Sequence, residues 1–365
     1  MGGYIYGLPK FWEINSNFAF AEFLQDLHQY KNKVHELDRI QFSEGANLQT
    51  IFPVLWEEVL QHHPSIHLRF YAYSNFDVDW IASFTDLENL SIEVGGNNSI
   101  IRNLEKLAEF QSLKSLVLSS DNGFGNLNFL YGVNPKLQEL YLCSKTKSAK
   151  SDLSVLTSFQ HLETLSLVNL EKNLDKAVSS LSALETLTLR SISKPQHIDF
   201  INRLKNLQFL TLQLCSFENI DAAAQLPKLK YLQLWRLPKL ENLDFVSQMQ
   251  GLQFLFVETL NGITRFPKVA GLKHLRRVKI TSCKNLTDFS EVAYSHSIRE
   301  FAVQNATQPN LDIYIPIIEN QHIENLGIGH EKAAIQKEMQ ALAQKHGREQ
   351  ITVCMYPDFE QFAFE

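Results

Sequence analysis

One six-residue hydrophobic pattern, Leu-x-x-Leu-x-Leu, governs the middle of the chain. It reads LENLSI from Leu87, LKSLVL from Leu113, LQELYL from Leu137 and LETLSL from Leu162. It continues as LETLTL from Leu184, LQFLTL from Leu207, LKYLQL from Leu229 and LQFLFV from Leu252. Degenerate copies follow as LRRVKI from Leu275, IREFAV from Ile298 and IENLGI from Ile323, each copy 22 to 26 residues after the last. The Leu-x-Leu half alternates with period 2 and predicts a strand with one buried and one open face. The residues after it, such as DFINRLKNL from Asp199 and DFVSQMQGL from Asp244, carry a short helical or 3₁₀ apolar pattern. A unit this small cannot bury its own apolar face, so neighbours must stack into a solenoid. Phe200, Phe245, Phe266 and Phe289 recur beside the helical turn and predict the filling of the convex side.

The ends depart from the repeat in the manner of caps. From Asn17 to Leu37, Phe18, Phe20, Phe23, Leu24, Leu27, Tyr30 and Val34 recur at helical spacing and predict one amphipathic helix. Asn47 to Leu60 reads as a second helical piece interrupted near Pro53. SIHLRF from Ser65 and LDRIQF from Leu37 keep the last two apolar positions of the repeat. Downstream, Glu331 to His346 predicts a charged amphipathic helix stopped by Gly347, and ITVCM from Ile351 predicts a last strand. The organisation expected is a helical N-terminal cap over 1–64, repeats over 65–329, and a C-terminal cap of helix, strand and tail over 330–365.

The repeated LxxLxL, with Cys215 and Cys283 at the position that follows it in LTLQLCSF and VKITSCKNL, resembles the leucine-rich repeat family. The resemblance covers Leu87 to Ile328. LPKLENLDF and CKNLTDF look like the irregular repeats of bacterial proteins and plant immune receptors. Leu237, Leu260 and Ile192 stand where regular subclasses place asparagine. The fold implied is an α/β leucine-rich repeat solenoid, with parallel strands on the concave side and irregular or helical segments on the convex side.

Composition narrows the function classes. The chain has 365 residues, 44% of them hydrophobic, and a formal net charge of -6. So mild an acidity carries no electrostatic footprint for nucleic acid or an anionic membrane. No apolar run approaches the roughly 18 to 20 residues of a membrane span. MGGYIYGLPKFWEINSNF lacks the basic and apolar regions of a secretory signal, and the four cysteines are widely spaced. A cytoplasmic protein is expected.

Enzyme signatures mostly fail. There is no GxSxG elbow and no GxxxxGK[ST] phosphate loop, and Gly327-Ile328-Gly329 is only a fragment of GxGxxG. His330-Glu331 opens like HExxH, but Ala334 takes the place of the second histidine. His62, His63 and His67 cluster in HHPSIH, the one candidate metal site, although Pro64 breaks helical presentation. Cys143, Cys215, Cys283 and Cys354 read as packing residues rather than nucleophiles. The expectation is a non-enzymatic chain without cofactor or metal.

The informative surface is the concave one. In LxxLxL the third, fifth and seventh residues from the start face away from the leucines. These positions are Phe209, Thr211 and Gln213; Tyr231, Gln233 and Trp235; and Phe254, Phe256 and Glu258. The next repeat contributes Arg277, Lys279 and Thr281, and an earlier one Arg190. Aromatics thus concentrate in three adjacent repeats with charges at the rim, the composition of a protein-binding hot spot. The expected partner-binding set is Arg190, Phe209, Tyr231, Gln233, Trp235, Phe254, Phe256, Glu258, Arg277 and Lys279. Coverage by a second copy or by the chain's own Tyr356, Phe359, Phe362 and Phe364 is the alternative. The function expected is recognition of a protein partner by a monomer, without nucleic acid or membrane. Narrower readings are a toxin-neutralising immunity protein or a substrate-recruiting adaptor, and the rival of another class is a metal-dependent enzyme in the caps.

Overall fold

The computed structural model describes residues 11–15, 20–148, 150–194, 196–352 and 362–365. The chain divides into two compact units, Met1–Leu184 and Glu185–Glu365.

In the first unit seven parallel strands lie side by side in sequence order. They are β1 (Phe11–Ile14), β2 (Arg39–Ser43), β3 (His67–Tyr73), β5 (Asn89–Val94), β7 (Ser115–Ser120), β8 (Glu139–Ser144) and β9 (Thr164–Val168). Short β4 (Asn75–Asp77) and β6 (Ile100–Arg102) pair with each other in a second, two-stranded sheet. The second unit repeats the arrangement with β10 (Thr186–Arg190), β11 (Phe209–Gln213), β12 (Tyr231–Trp235), β13 (Phe254–Glu258), β14 (Arg277–Thr281), β15 (Glu300–Ala306) and β16 (Asn325–His330).

Registers follow the hydrophobic pattern. Leu187, Leu210, Leu232, Leu255, Val278, Phe301 and Leu326 pair in one row, and Leu189, Leu212, Leu234, Val257, Ile280, Val303 and Ile328 in the next. All are buried. A one-residue slip would turn both rows to solvent, so the leucines hold the register.

The strands β10 to β14 of the second unit each turn away through a residue in the left-handed region. Ser191, Leu214, Arg236, Thr259 and Ser282 have φ between 52° and 58°. Their amides still reach the neighbouring strand: Leu214 donates to the Trp235 carbonyl at 2.8 Å, Arg236 to Glu258 at 2.9 Å and Thr259 to Thr281 at 2.9 Å. The strained corner thus extends the sheet ladder by one bond per repeat.

After the corner, short 3₁₀ turns line the other side of the core. Many are opened by an Asx side chain that accepts the amide two residues on: Asp77 from Asp79, Asn126 from Asn128, Asp152 from Ser154, Asn219 from Asp221, Asn242 from Asp244, Asp288 from Ser290 and Asn310 from Asp312. Phe245, Phe266 and Phe289 are buried behind these turns, whereas Phe200 is only half-buried.

The N-terminal segment corrects two expectations. The first helix is shorter than predicted: α1 spans Phe20–Tyr30, and a separate 3₁₀ turn covers Val34–Glu36. Its buried stripe holds Phe23 and Leu27, while Phe20 and Leu24 are exposed. Asn17 and Phe18 lie outside the described residues. The second helix, α2 (Leu48–Glu58), runs through Pro53 without a break. Pro53 leaves only the Gln49 carbonyl without its helical donor, and Gln49 is exposed to water. Asn47 caps this helix by accepting from the Thr50 amide, and Leu48, Ile51, Phe52 and Leu55 form its buried face.

A short helix, α3 (Leu174–Ser179), replaces the 3₁₀ turn of its repeat, and another, α4 (Ile315–Ile318), continues directly from the 3₁₀ turn Leu311–Tyr314. The last helix, α5 (Ala333–Lys345), is followed by Gly347 at φ 81°. Of the predicted last strand, Thr352 forms one parallel bridge to Gly327, and Cys354 and Met355 lie outside the described residues.

Candidate functional site

The open face of the second unit carries three parallel rows of side chains, because in-register parallel strands align equivalent positions. The first row reads Thr186, Phe209, Tyr231, Phe254, Arg277, Glu300 and Asn325. The second reads Thr188, Thr211, Gln233, Phe256, Lys279 and Ala302, and the third Arg190, Gln213, Trp235, Glu258, Thr281 and Gln304. All ten residues expected to bind a partner lie on this face.

The first row is not open, which corrects the expectation of exposed aromatics along it. Tyr231 and Phe254 are 3% and 2% exposed, and Arg277 is 6% exposed. The chain's own residues 362–365 lie across them. The Phe364 ring meets Phe209 edge-on at 5.1 Å and Tyr231 at 6.3 Å. The Phe362 ring sits 5.5 Å from Phe254 and 4.8 Å from Phe364. Within the row, Phe209 and Tyr231 are 6.2 Å apart, and Tyr231 meets Phe254 edge-on at 5.2 Å. Tyr231 donates from its hydroxyl to Gln233 at 3.1 Å. Tyr356 and Phe359, the other proposed covering residues, lie outside the described residues.

Cations brace this cluster. The guanidinium carbon of Arg277 lies 5.3 Å from the Phe254 ring and 4.8 Å from the Phe362 ring, and Arg277 also pairs with Glu300. Arg276 stands 4.8 Å from the Phe362 ring, donates to the Ala363 carbonyl and reaches the Glu365 carboxylate at 3.3 Å. Gln253 completes the frame: its amide donates to the Glu365 main-chain oxygen and accepts from the Glu365 amide, both at 2.9 Å. Gln253 and Arg276 occupy the second position of their hexads, a position the alternation rule did not single out. Their side chains reach the face from the strand entrances.

The aromatics of the second and third rows stay partly accessible. Trp235 is half-buried, with the Arg190 guanidinium carbon 5.2 Å from its ring. Phe256 is half-buried beneath the Lys279 ammonium at 5.0 Å. Glu258 sits beside them, and burial raises its carboxyl above the ordinary carboxylate value, with Lys279 opposing.

The open face of the first unit is polar. Arg69 grips Glu93 through two bonds of 2.7 and 3.1 Å, lies 5.0 Å from the Tyr71 ring, and Tyr71 donates to Glu13. His67 is 2.6 Å from the Ser91 hydroxyl. Burial, helped by Arg39 and Arg69, pushes its pKa down to about 4. His62 ends a 3₁₀ turn and His67 begins β3, so the HHPSIH histidines belong to different elements. Among the described residues no group of three His, Cys, Asp or Glu is arranged to hold a metal ion. Cys215 is fully buried, and burial raises the Cys283 thiol above its ordinary value. That shift opposes a reactive thiolate at Cys283. Among the described residues no helix is long and apolar enough to cross a membrane.

No protein-family model and no curated protein sequence matches the chain. Among solved structures it is similar to an internalin (inlF) from Listeria monocytogenes at 17% identity, over 74% of this chain and 79% of that one, with a TM-score of 0.48. It is similar to a leucine-rich repeat protein from Leptospira interrogans at 20% identity, over 90% and 92%, with a TM-score of 0.48. A second Listeria monocytogenes internalin, C2, is 20% identical over 55% and 74%, with a TM-score of 0.34. The strand register, the buried leucine rows and the recurrent left-handed corners identify the architecture on their own: by fold the chain is a leucine-rich repeat solenoid.

Proposed function

We propose that the chain is a non-enzymatic recognition module that binds a protein partner through the accessible strand face of its second unit. One observation carries this reading. Trp235 and Phe256 stand on adjacent strands, each half-exposed and each with a cation over its ring. A large apolar surface with a polar handle, held on a rigid sheet, is the composition of a binding hot spot. Rigidity matters because side chains already fixed in rows lose little entropy when a partner docks. Arg190, Lys279 and Glu258 would then steer association and select partners by charge.

The test is affinity capture from the source cell's lysate with wild-type chain, a Trp235→Ala/Phe256→Ala variant and a Tyr131→Ala control. Tyr131 is exposed in the 3₁₀ turn Asn128–Gly132 of the first unit and belongs to none of the three rows. A protein held by wild type and control but lost by the double variant is then purified and titrated. A fall in affinity of at least tenfold is expected. Equal binding by all three chains would remove the face from consideration.

A further inference from the structure

We infer that the first row of the second unit is a receptor groove for an extended peptide of sequence aromatic-x-aromatic-acidic. The chain's own Phe362-Ala363-Phe364-Glu365 is its resident ligand. This inference rests on the reading of the strand face as a protein-binding surface, and it names the chemistry of the partner segment.

The contacts divide as they do in peptide recognition. Two rings, at alternate residues, enter two places. Phe364 meets Phe209 and Tyr231, and Phe362 meets Phe254 between the guanidinium groups of Arg276 and Arg277. Main-chain groups are held independently of sequence: Gln253 bonds the amide and oxygen of Glu365, and Arg276 accepts the approach of the Ala363 carbonyl by donating to it. The acidic side chain of Glu365 meets Arg276. Ala363 is exposed, so the middle position imposes no side-chain requirement. A groove that reads two aromatic anchors, a backbone and one negative charge is built for any segment offering that combination, whichever chain carries it.

Occupation by a tethered segment sets a threshold. A ligand on the same chain competes at an effective concentration in the millimolar range, so a partner peptide must displace it. The apparent affinity for the partner falls by the fraction of grooves that stand empty. The resident segment is therefore an autoinhibitory contact for this row, while Trp235 and Phe256 in the neighbouring rows stay available throughout.

The probe is fluorophore-Gly-Ser-Phe-Ala-Phe-Glu-amide, titrated into the full chain and into its Phe362→Ala/Phe364→Ala variant. Saturable binding at least tenfold tighter to the variant is expected, with none for an Ala-Ala-Ala-Glu control. Adding Gln253→Ala to the variant should weaken it again. Equal affinity for both chains, or no saturable binding to a variant that circular dichroism shows to be folded, overturns the inference. Should the variant not fold, hydrogen exchange on the wild-type chain decides. The Glu365 amide should lose protection as peptide is added to millimolar concentration, and protection that persists overturns the inference. A sedimenting dimer that exchanges this segment between copies overturns occupation within one chain. Loss of partner binding on Trp235→Ala/Phe256→Ala with no peptide binding would leave the broader reading standing and remove this one.

Discussion

Gln253 and Glu365, 112 residues apart in sequence, exchange two hydrogen bonds of 2.9 Å. Gln253 is buried, and its amide oxygen also accepts from Arg276 at 3.0 Å. Each bond contributes a net stabilisation of about 0.5–1.5 kcal/mol. Gln253→Ala is expected to lower the unfolding free energy of the second unit by about 1–3 kcal/mol in urea titration. A change indistinguishable from zero would mean that the pair is not formed in solution.

Burial separates residues that share one face. Phe254 is closed in by Phe362 and Arg277, so Phe254→Ala is expected to cost about 3–5 kcal/mol. Trp235→Ala removes a half-exposed ring and one cation–π contact, at a cost of about 1 kcal/mol. Melting of the two variants side by side checks the order. The alternation rule placed Tyr231, Trp235 and Phe254 alike on the open face, and the covering segment is the physical reason that Tyr231 and Phe254 are buried there.

Thr259 holds φ at 52°, a region costly for a β-branched side chain. Asn169 and Asn305 occupy the equivalent corner with a residue that tolerates it. Thr259→Asn is therefore expected to raise stability by about 1 kcal/mol, as read by denaturant midpoint. A loss of stability would show that the Thr259 side chain contributes more than its backbone strain costs.

His67 links the first unit to pH. Its folded pKa is about 4 against an ordinary 6.5, so the unfolded chain binds the extra proton between those values. Stability is then full above about pH 6.5 and declines as pH falls toward about 4. His67→Gln should flatten the profile between pH 7 and 5 relative to wild type, by about 1–3 kcal/mol. Parallel profiles for the two chains would assign the acid sensitivity elsewhere.

Much of the fold was legible because Leu-x-x-Leu-x-Leu fixes strand, register and buried face together. Leu232 and Leu255 are fully buried as the pattern requires, and Leu232→Ala is expected to cost about 2–5 kcal/mol. The Asx triplets that open the 3₁₀ turns, such as Asn242-Leu243-Asp244, were also present in the text of the sequence but are too short to stand out from it. The left-handed corners were not legible, because Leu214, Arg236 and Thr259 have no intrinsic preference for that conformation. Stacking of successive repeats imposes it. The site was legible in its rows, and its cover only as the alternative in which Phe362 and Phe364 close the face: no local pattern pairs Phe362 with Phe254 or Phe364 with Phe209.

A stack of repeats ordinarily unfolds by fraying, since each unit touches only its neighbours and an end can peel away alone. The four residues from Phe362 to Glu365 change that arithmetic for the second unit. They touch Phe209 at the start of β11 and Arg277 at the start of β14, three strands further on. Peeling any one of β11 to β14 from its neighbours must also break this strap. These four repeats are thereby welded into one cooperative block, the part of the unit whose amides should exchange last and together.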